Sequence, residues 1–190
     1  EIVHVTGSIK FDRAVFDRQN ETTQQLARLA GFSPTDQVFL AGSTQHPEEQ
    51  FALDSFLSLA PSHPALRLIL VPRHPERFDE VAALLDRSGM CWQRRSKLDG
   101  NNIDADARIL LVDTIGELGA WWGTSHIAYV GGSMSRRGGQ NPIEPSAYGA
   151  AVSFGPKTPN FRGVVAVLLD GDAAVVVRNG EQVREFVRKC

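Results

Sequence analysis

The chain has 190 residues, 42% of them hydrophobic and 22% charged, with a formal net charge of −2. That length and mixture exclude a disordered, collagenous or coiled-coil chain and leave room for one domain with a sizeable core. The near-neutral balance provides no general pull toward nucleic acid or anionic lipid, so any anion site has to be local.

Two cysteines, Cys91 and Cys190, fit a reduced compartment better than a disulfide framework, and no Cys or His spacing of a metal site is present. No run reaches the roughly 18 to 20 apolar residues of a membrane span, and "EIVHVTGSIK" is neither a signal peptide nor an initiator terminus. The expectation is a soluble piece of a longer protein.

In chain order, short β-rich runs alternate with amphipathic segments. After "IVHV" comes a helix over Asn20–Ala30, ended by Gly31, and then the strand "QVFLAGS". A helix over Pro47–Ala60 opens with Pro-Glu-Glu, stops at Pro61 and leads to "LRLILVP". The next, Pro75–Ser88, opens in the same way and closes at Gly89 before "MCWQR". "LDGNNIDADAR" is loop-like. Beyond it lie "RILLVD", a helix over Thr114–Trp122, "HIAYVGG", a helix over Ile143–Tyr148, "AAVSFG", a helix over Asn160–Leu169, "AAVVVR" and a helix over Gly180–Lys189. Several strands are apolar almost throughout, as strands buried on both faces are. The alternation predicts an α/β fold, a Rossmann-like doubly wound parallel sheet with right-handed crossovers, in one domain spanning residues 1–190.

In such sheets ligands bind beyond the carboxyl ends of the strands. Five conspicuous motifs fall there: "AGSTQHPEE", "PRHPERF", "DTIGEL", "VGGSMSRRGGQNPIEP" and "GPKTPNF". In the fourth, the glycines at 131, 132, 138 and 139 permit unusual backbone and close approach, and Pro142 suits a helix start, so the loop is expected to cradle an anion. It matches neither the dinucleotide fingerprint nor the phosphate loop of NTPases. Glu144 would either accept from the cis-diol of a ribose or complement the dipole of its helix. Arg73, leaving a buried strand, suits bidentate pairing to phosphate or carboxylate, or a surface ion pair. His74 would donate to the same anion or simply enter the helix. Ser43 and Thr44 would cap the helix at Pro47, touch a ligand, or do both. Asp113 and Thr114 are helix-start types, and Trp121 and Trp122 would pack or line an interface.

These motifs, together with "VTGSIKFD" and in this order, resemble the C-terminal half of the Kdo (3-deoxy-D-manno-oct-2-ulosonic acid) transferases of lipid A biosynthesis, over Val5 to about Val177. The resemblance implies the donor half of a GT-B glycosyltransferase that binds CMP-Kdo. Its acceptor half would carry the catalytic base and the contact with the cytoplasmic face of the bacterial inner membrane, and would lie outside this chain. By motif, Arg73 and His74 would face CMP, and Lys10, Ser43 and Thr44 would lie near the phosphate and sugar. Gly131 and Gly132 would belong to the glycine loop, Asn141 and Glu144 would hold phosphate and ribose, and Asn160 would stand at the edge of the cleft. Gln45 and Gln140 stand where the family usually has His; a glutamine still hydrogen-bonds but carries no proton or positive charge.

The implied reaction is inverting transfer of Kdo to a lipid A precursor with CMP departing, without cofactor or metal, and with this domain alone binding donor but not turning over. Two alternatives remain at this stage. One is a UDP-sugar-dependent GT-B transferase or epimerase domain, and the other a non-catalytic nucleotide-binding module.

Overall fold

The structure is a computed structural model in which residues 15–190 are described; Lys10 and the "IVHV" run lie outside them. The chain enters through α1 (Glu21–Leu29), whose N-cap Asn20 accepts from Thr23 N, and continues into β1 (Gln37–Thr44), α2 (Glu48–Leu59) and β2 (Leu66–Pro72). A 3-10 turn (Pro75–Arg77) leads into α3 (Phe78–Arg87), followed by the short strands β3 (Trp92–Arg94) and β4 (Ile109–Leu111). Then come α4 (Leu118–Trp121), β5 (Ile127–Val130), α5 (Ile143–Ala147), β6 (Ala151–Phe154), α6 (Arg162–Asp170), β7 (Ala174–Val176) and α7 (Gly180–Lys189).

The seven strands form one sheet in the order β3-β4-β2-β1-β5-β6-β7, and every neighbouring pair is parallel. This is the doubly wound architecture expected from the alternation. From β1 the chain builds outward on one side through β2 and β4, then returns to place β5 on the other side. The carboxyl ends of β1 and β5 are therefore the topological switch point, where adjacent crossovers leave in opposite directions and open a crevice.

Both faces of the sheet are buried, which is why its strands read as apolar runs. Phe39, Ala41, Leu68, Leu70 and Tyr129 pack under α2, α3 and α7, with Phe56 and Leu85 at the centre of that layer. Leu40, Ile69, Val112, Val130 and Phe154 pack under α1, α4 and α6, with Trp121 and Trp122 at the centre of the other. Fully burying such side chains contributes about 1.5 to 3 kcal/mol each, so the two layers supply most of the drive for folding. The tryptophans left open in the sequence are thus core residues.

Three expected helices begin late. Those at Pro75 and Asn160 open with 3-10 turns, and the one expected from Thr114 starts only at Leu118. Gly116 has φ of 89°, a left-handed conformation that interrupts a helix, and Thr114 donates its hydroxyl to Glu117 instead of capping an amide. Asp113 is not a cap either: its carboxylate accepts from Arg94 Nε and from the amide and hydroxyl of Ser96, tying β4 to the segment after β3.

Gly131, at the end of β5, is needed for space. A Cβ there would stand 2.5 Å from Ser43 O and 2.6 Å from Thr44 Cα, backbone atoms that cannot rotate away. Gly131→Ala is expected to destabilise the domain by about 1 to 3 kcal/mol, the cost of overpacking, read as a lowered urea midpoint; an unchanged midpoint would contradict the close approach.

At the opposite edge His126 clamps β1: its backbone N–H donates to Val38 O, and its Nδ1 accepts from Val38 N. Burial, followed by the charge of Arg18, lowers its pKa below the ordinary 6.5. The unfolded chain therefore takes up the proton first as pH falls, so stability is full above pH 6.5 and declines as pH drops through that value toward the lowered folded-state one. His126→Asn keeps an acceptor that does not titrate. Melting curves should show the parent losing more stability than this variant over that window, and parallel losses would contradict the assignment.

Candidate functional site

A cleft of about 270 Å³ opens at the switch point and is lined by Ser43, Arg73, Gln140, Asn141 and Glu144 over the ring of Trp122. Gly116 and Gly119 form its far wall, and the groove continues past them and Glu144 toward Asn20, Thr22 and Tyr148. A smaller recess beside Arg73 reaches Phe78, Thr114 and Ile115. A separate apolar cavity of about 250 Å³ behind α5, lined by Phe16, Ile143, Val164 and Val167, has no ionisable group in its wall and offers no handle for chemistry.

The arginines along this edge separate by partner. Arg77 pairs with buried Glu49 and with Glu80, Arg94 with Asp79 and Asp113, and Arg95 with Glu117. Arg73, one residue beyond β2, has its backbone held by a 3.0 Å hydrogen bond from its N–H to Thr44 O, and its guanidinium is exposed at the cleft. Among the described residues that guanidinium has no hydrogen-bond or ion-pair partner. No ion pair within the described residues engages Arg73, and its cationic group stands at the cleft on a backbone anchored to β1.

Glu144 lines the same cleft. Asn141 Oδ1 accepts from Ile143 N, and its Nδ2 donates to Glu144 Oε1 at 3.1 Å, so the asparagine both caps α5 and orients the carboxylate. A Cβ on Gly119 would lie 3.8 Å from Glu144 Oε2, so this wall of the cleft runs beside that second oxygen. α5 has five residues, too short to provide an extended array of free amides.

The glycine loop differs from expectation. Its amides do form an anion cradle, but the anion is internal. Glu48, 1% exposed at the start of α2, accepts from Gly132 N and Gln45 N on Oε2, and from Ser133 N, Met134 N and the Tyr129 hydroxyl on Oε1. Burial, then the adjacent Glu48 carboxylate, raises the pKa of the Tyr129 phenol, which keeps it a donor. Gly132 thus serves the loop's internal bond, and Gly131 serves packing; the structure does not bring either to a ligand-facing position.

The remaining predicted residues divide. Ser43 lines the cleft with a left-handed φ of 54°, whereas Thr44 is wholly buried and turns its hydroxyl toward Val71 O. His74 is half-buried beside Glu76, outside the cleft lining, and its Nε2 is enclosed without a hydrogen-bond partner among the described residues. Asn160 donates to Arg137 O and bonds Gly138 O through its own amide, so it braces the glycine loop from outside. Lys10 lies outside the described residues. Sequence reasoning missed Gly116 and Gly119 as walls, because "DTIGEL" reads as a helix start, and it missed Glu48 and Glu49, which read as first-turn acids.

Among the described residues no trio of His, Cys, Asp or Glu is placed to hold a metal, and no helix is long and apolar enough to cross a membrane.

No protein-family model matches the chain. It is 35% identical over 180 residues to a 3-deoxy-D-manno-octulosonic acid transferase from Haemophilus influenzae, an alignment that covers 94% of this chain but only 41% of that protein. It superposes on the C-terminal CMP-Kdo binding domain of WaaA from Acinetobacter baumannii with a TM-score of 0.79 and 33% identity, covering 88% of this chain and 86% of that one. WaaG, a glycosyltransferase involved in lipopolysaccharide biosynthesis, shares the fold at a TM-score of 0.57 and 14% identity, over 93% of this chain and 45% of that one. The chain therefore belongs to the family of 3-deoxy-D-manno-octulosonic acid transferases and corresponds to their C-terminal domain, the Rossmann-like half of a GT-B glycosyltransferase.

Proposed function

We propose that this domain binds the nucleotide-sugar donor CMP-Kdo in the switch-point cleft and presents it for inverting transfer to a lipid A precursor. The observation that carries the reading is the presence of opposite charges in one cleft: the guanidinium of Arg73, unpartnered among the described residues, and the carboxylate of Glu144, oriented by Asn141, line it together. A phosphate monoester needs a rigid cationic fork, and a ribose cis-diol needs a carboxylate that can accept two hydrogen bonds. Ser43 and Gln140 supply neutral polar groups between the two.

In the transfer, a base outside this chain takes the proton of the acceptor hydroxyl, whose oxygen attacks the anomeric carbon of Kdo as the bond to the CMP phosphate breaks. Charge accumulates on the departing phosphate, and Arg73 stabilises it more in the transition state than in the bound donor. The isolated domain is expected to bind nucleotide without turnover, because acceptor and base reside in the other half. That other half is also where the full-length protein would meet the inner membrane.

Calorimetric titration with CMP and UDP tests this reading. CMP should bind and UDP should bind more weakly; equal binding would point to another nucleotide-sugar enzyme of the same architecture. Arg73→Ala should weaken CMP binding by roughly 1.5 to 3 kcal/mol, with Arg73→Lys intermediate and the melting temperature unchanged, because a charge-assisted hydrogen bond to the ligand is lost and none within the fold. Glu144→Gln should also weaken CMP binding and spare stability. Undiminished affinity in both variants, with lower melting temperatures, would return these residues to purely structural roles.

A further inference from the structure

We infer that Glu48 is a positioning residue for the donor site: its carboxylate acts as a built-in anion that fills the amide nest of the glycine loop and fixes the ligand-facing residues that follow. This rests on the reading of the cleft as the donor site.

The argument begins with the saturation of one side chain. Gly132 N and Gln45 N reach Oε2 at 2.7 and 2.9 Å, and Ser133 N, Met134 N and Tyr129 Oη reach Oε1 at 3.0, 2.9 and 3.0 Å. A carboxylate offers about four lone-pair directions, so five donors leave it no vacancy. Successive main-chain N–H groups converging in this way form a concavity of the kind that elsewhere binds phosphate. Here the nest is filled from within the fold, which excludes the donor phosphate and leaves it to side chains on the cleft, Arg73 above all.

The second step is coupling. Gly139 N donates to Gly132 O at 2.9 Å, closing the loop on itself, and a Cβ on Gly132 would lie 3.5 Å from the Gln140 side chain. Ser133, the next residue held by Glu48, donates its hydroxyl to Val130 O and accepts from Gly155 N, both at 2.7 Å. Glu48 thus sets the path of the loop from β5 to Gly139, and Gln140, Asn141 and Glu144 follow directly from that fixed end. Nothing in this chain of contacts places Glu48 against a ligand, so its effect on binding passes entirely through the loop.

Removing the carboxylate should leave four amides without their acceptor, and the Tyr129 phenol with Ser133 Oγ alone, around a hole the size of a small carboxylate ion. In Glu48→Ala, amide exchange at Gly132, Ser133 and Met134 should accelerate, and CMP binding should weaken about tenfold or more, the factor equivalent to one charge-assisted hydrogen bond. Formate should restore both in the variant and alter neither in the parent chain. Glu48→Gln should not substitute, since its amide N–H groups would face donors.

Unchanged exchange at the three amides would overturn the inference, and so would faster exchange accompanied by parental CMP affinity. If Glu48→Ala does not fold, Glu48→Asp, which shortens the reach by one methylene, is measured in its place: a more loosely held glycine loop should appear as faster amide exchange and weaker CMP binding, and parental values of either quantity overturn the inference. Failure of the parent itself to bind CMP would refute both the donor reading and the effect on binding inferred from it, whereas loss of the effect in the variants alone would refute only the role of Glu48.

Discussion

The ligand edge of this domain depends on how closely β5 can be drawn against β1. Two features enforce that approach. Gly131 has no side chain where Ser43 O and Thr44 Cα come within what would be 2.5 and 2.6 Å of a Cβ, and the Glu48 carboxylate receives donors from the turn after β1 and from the loop after β5 at once. With the two strand ends fixed, the crevice demanded by the reversal of strand order acquires defined walls. Ser43 takes a left-handed conformation at this junction, as expected of backbone held by its surroundings more than by its own preference.

Electrostatics along the same edge follow a clear division. The acids Glu49, Asp113 and Glu117 are committed to Arg77, Arg94 and Arg95, which tie the α2, β3 and β4 regions to one another. Hydrogen bonds from Thr114, Arg95 and Trp121 oppose the effect of burial on Glu117 and hold its pKa below the usual carboxylate value. Against this background of satisfied pairs, Arg73 and Glu144 line the cleft without an ion-pair partner among the described residues. A chain with net charge −2 therefore presents cationic and anionic groups together in one small volume.

Much of this was legible in the sequence because local patterns and long-range structure agree. Apolar runs became parallel strands, and the five motifs at strand ends fell on one edge, as the crossover rule demands. Arg73 could be separated from Arg77 by position alone, since the first leaves a strand and the second lies within the following turn, but only the fold shows that Arg77 meets Glu49. The glycine loop was read as a cradle for a ligand anion, but its amides hold an internal carboxylate that comes from 84 residues earlier in the chain and reads in sequence as a first-turn helix acid. Likewise Thr44 and Ser43 are indistinguishable as adjacent hydroxyls, and the break in the β1 register between Gly42 and Thr44, with Ser43 in a left-handed conformation, leaves one wholly buried while the other lines the cleft. Such outcomes depend on non-local contacts, which single-segment patterns do not encode.

The central claim is that the switch-point cleft, and not another surface of the domain, receives the donor nucleotide. Mapping CMP onto the domain by amide chemical shifts tests it most directly. The account predicts the largest perturbations at Ser43, Arg73, Gly116, Gly119 and Asn141–Glu144, with His126 and Asp36 at the opposite edge of the sheet unaffected. Perturbations centred on that opposite edge, or on the apolar cavity behind α5, would contradict it.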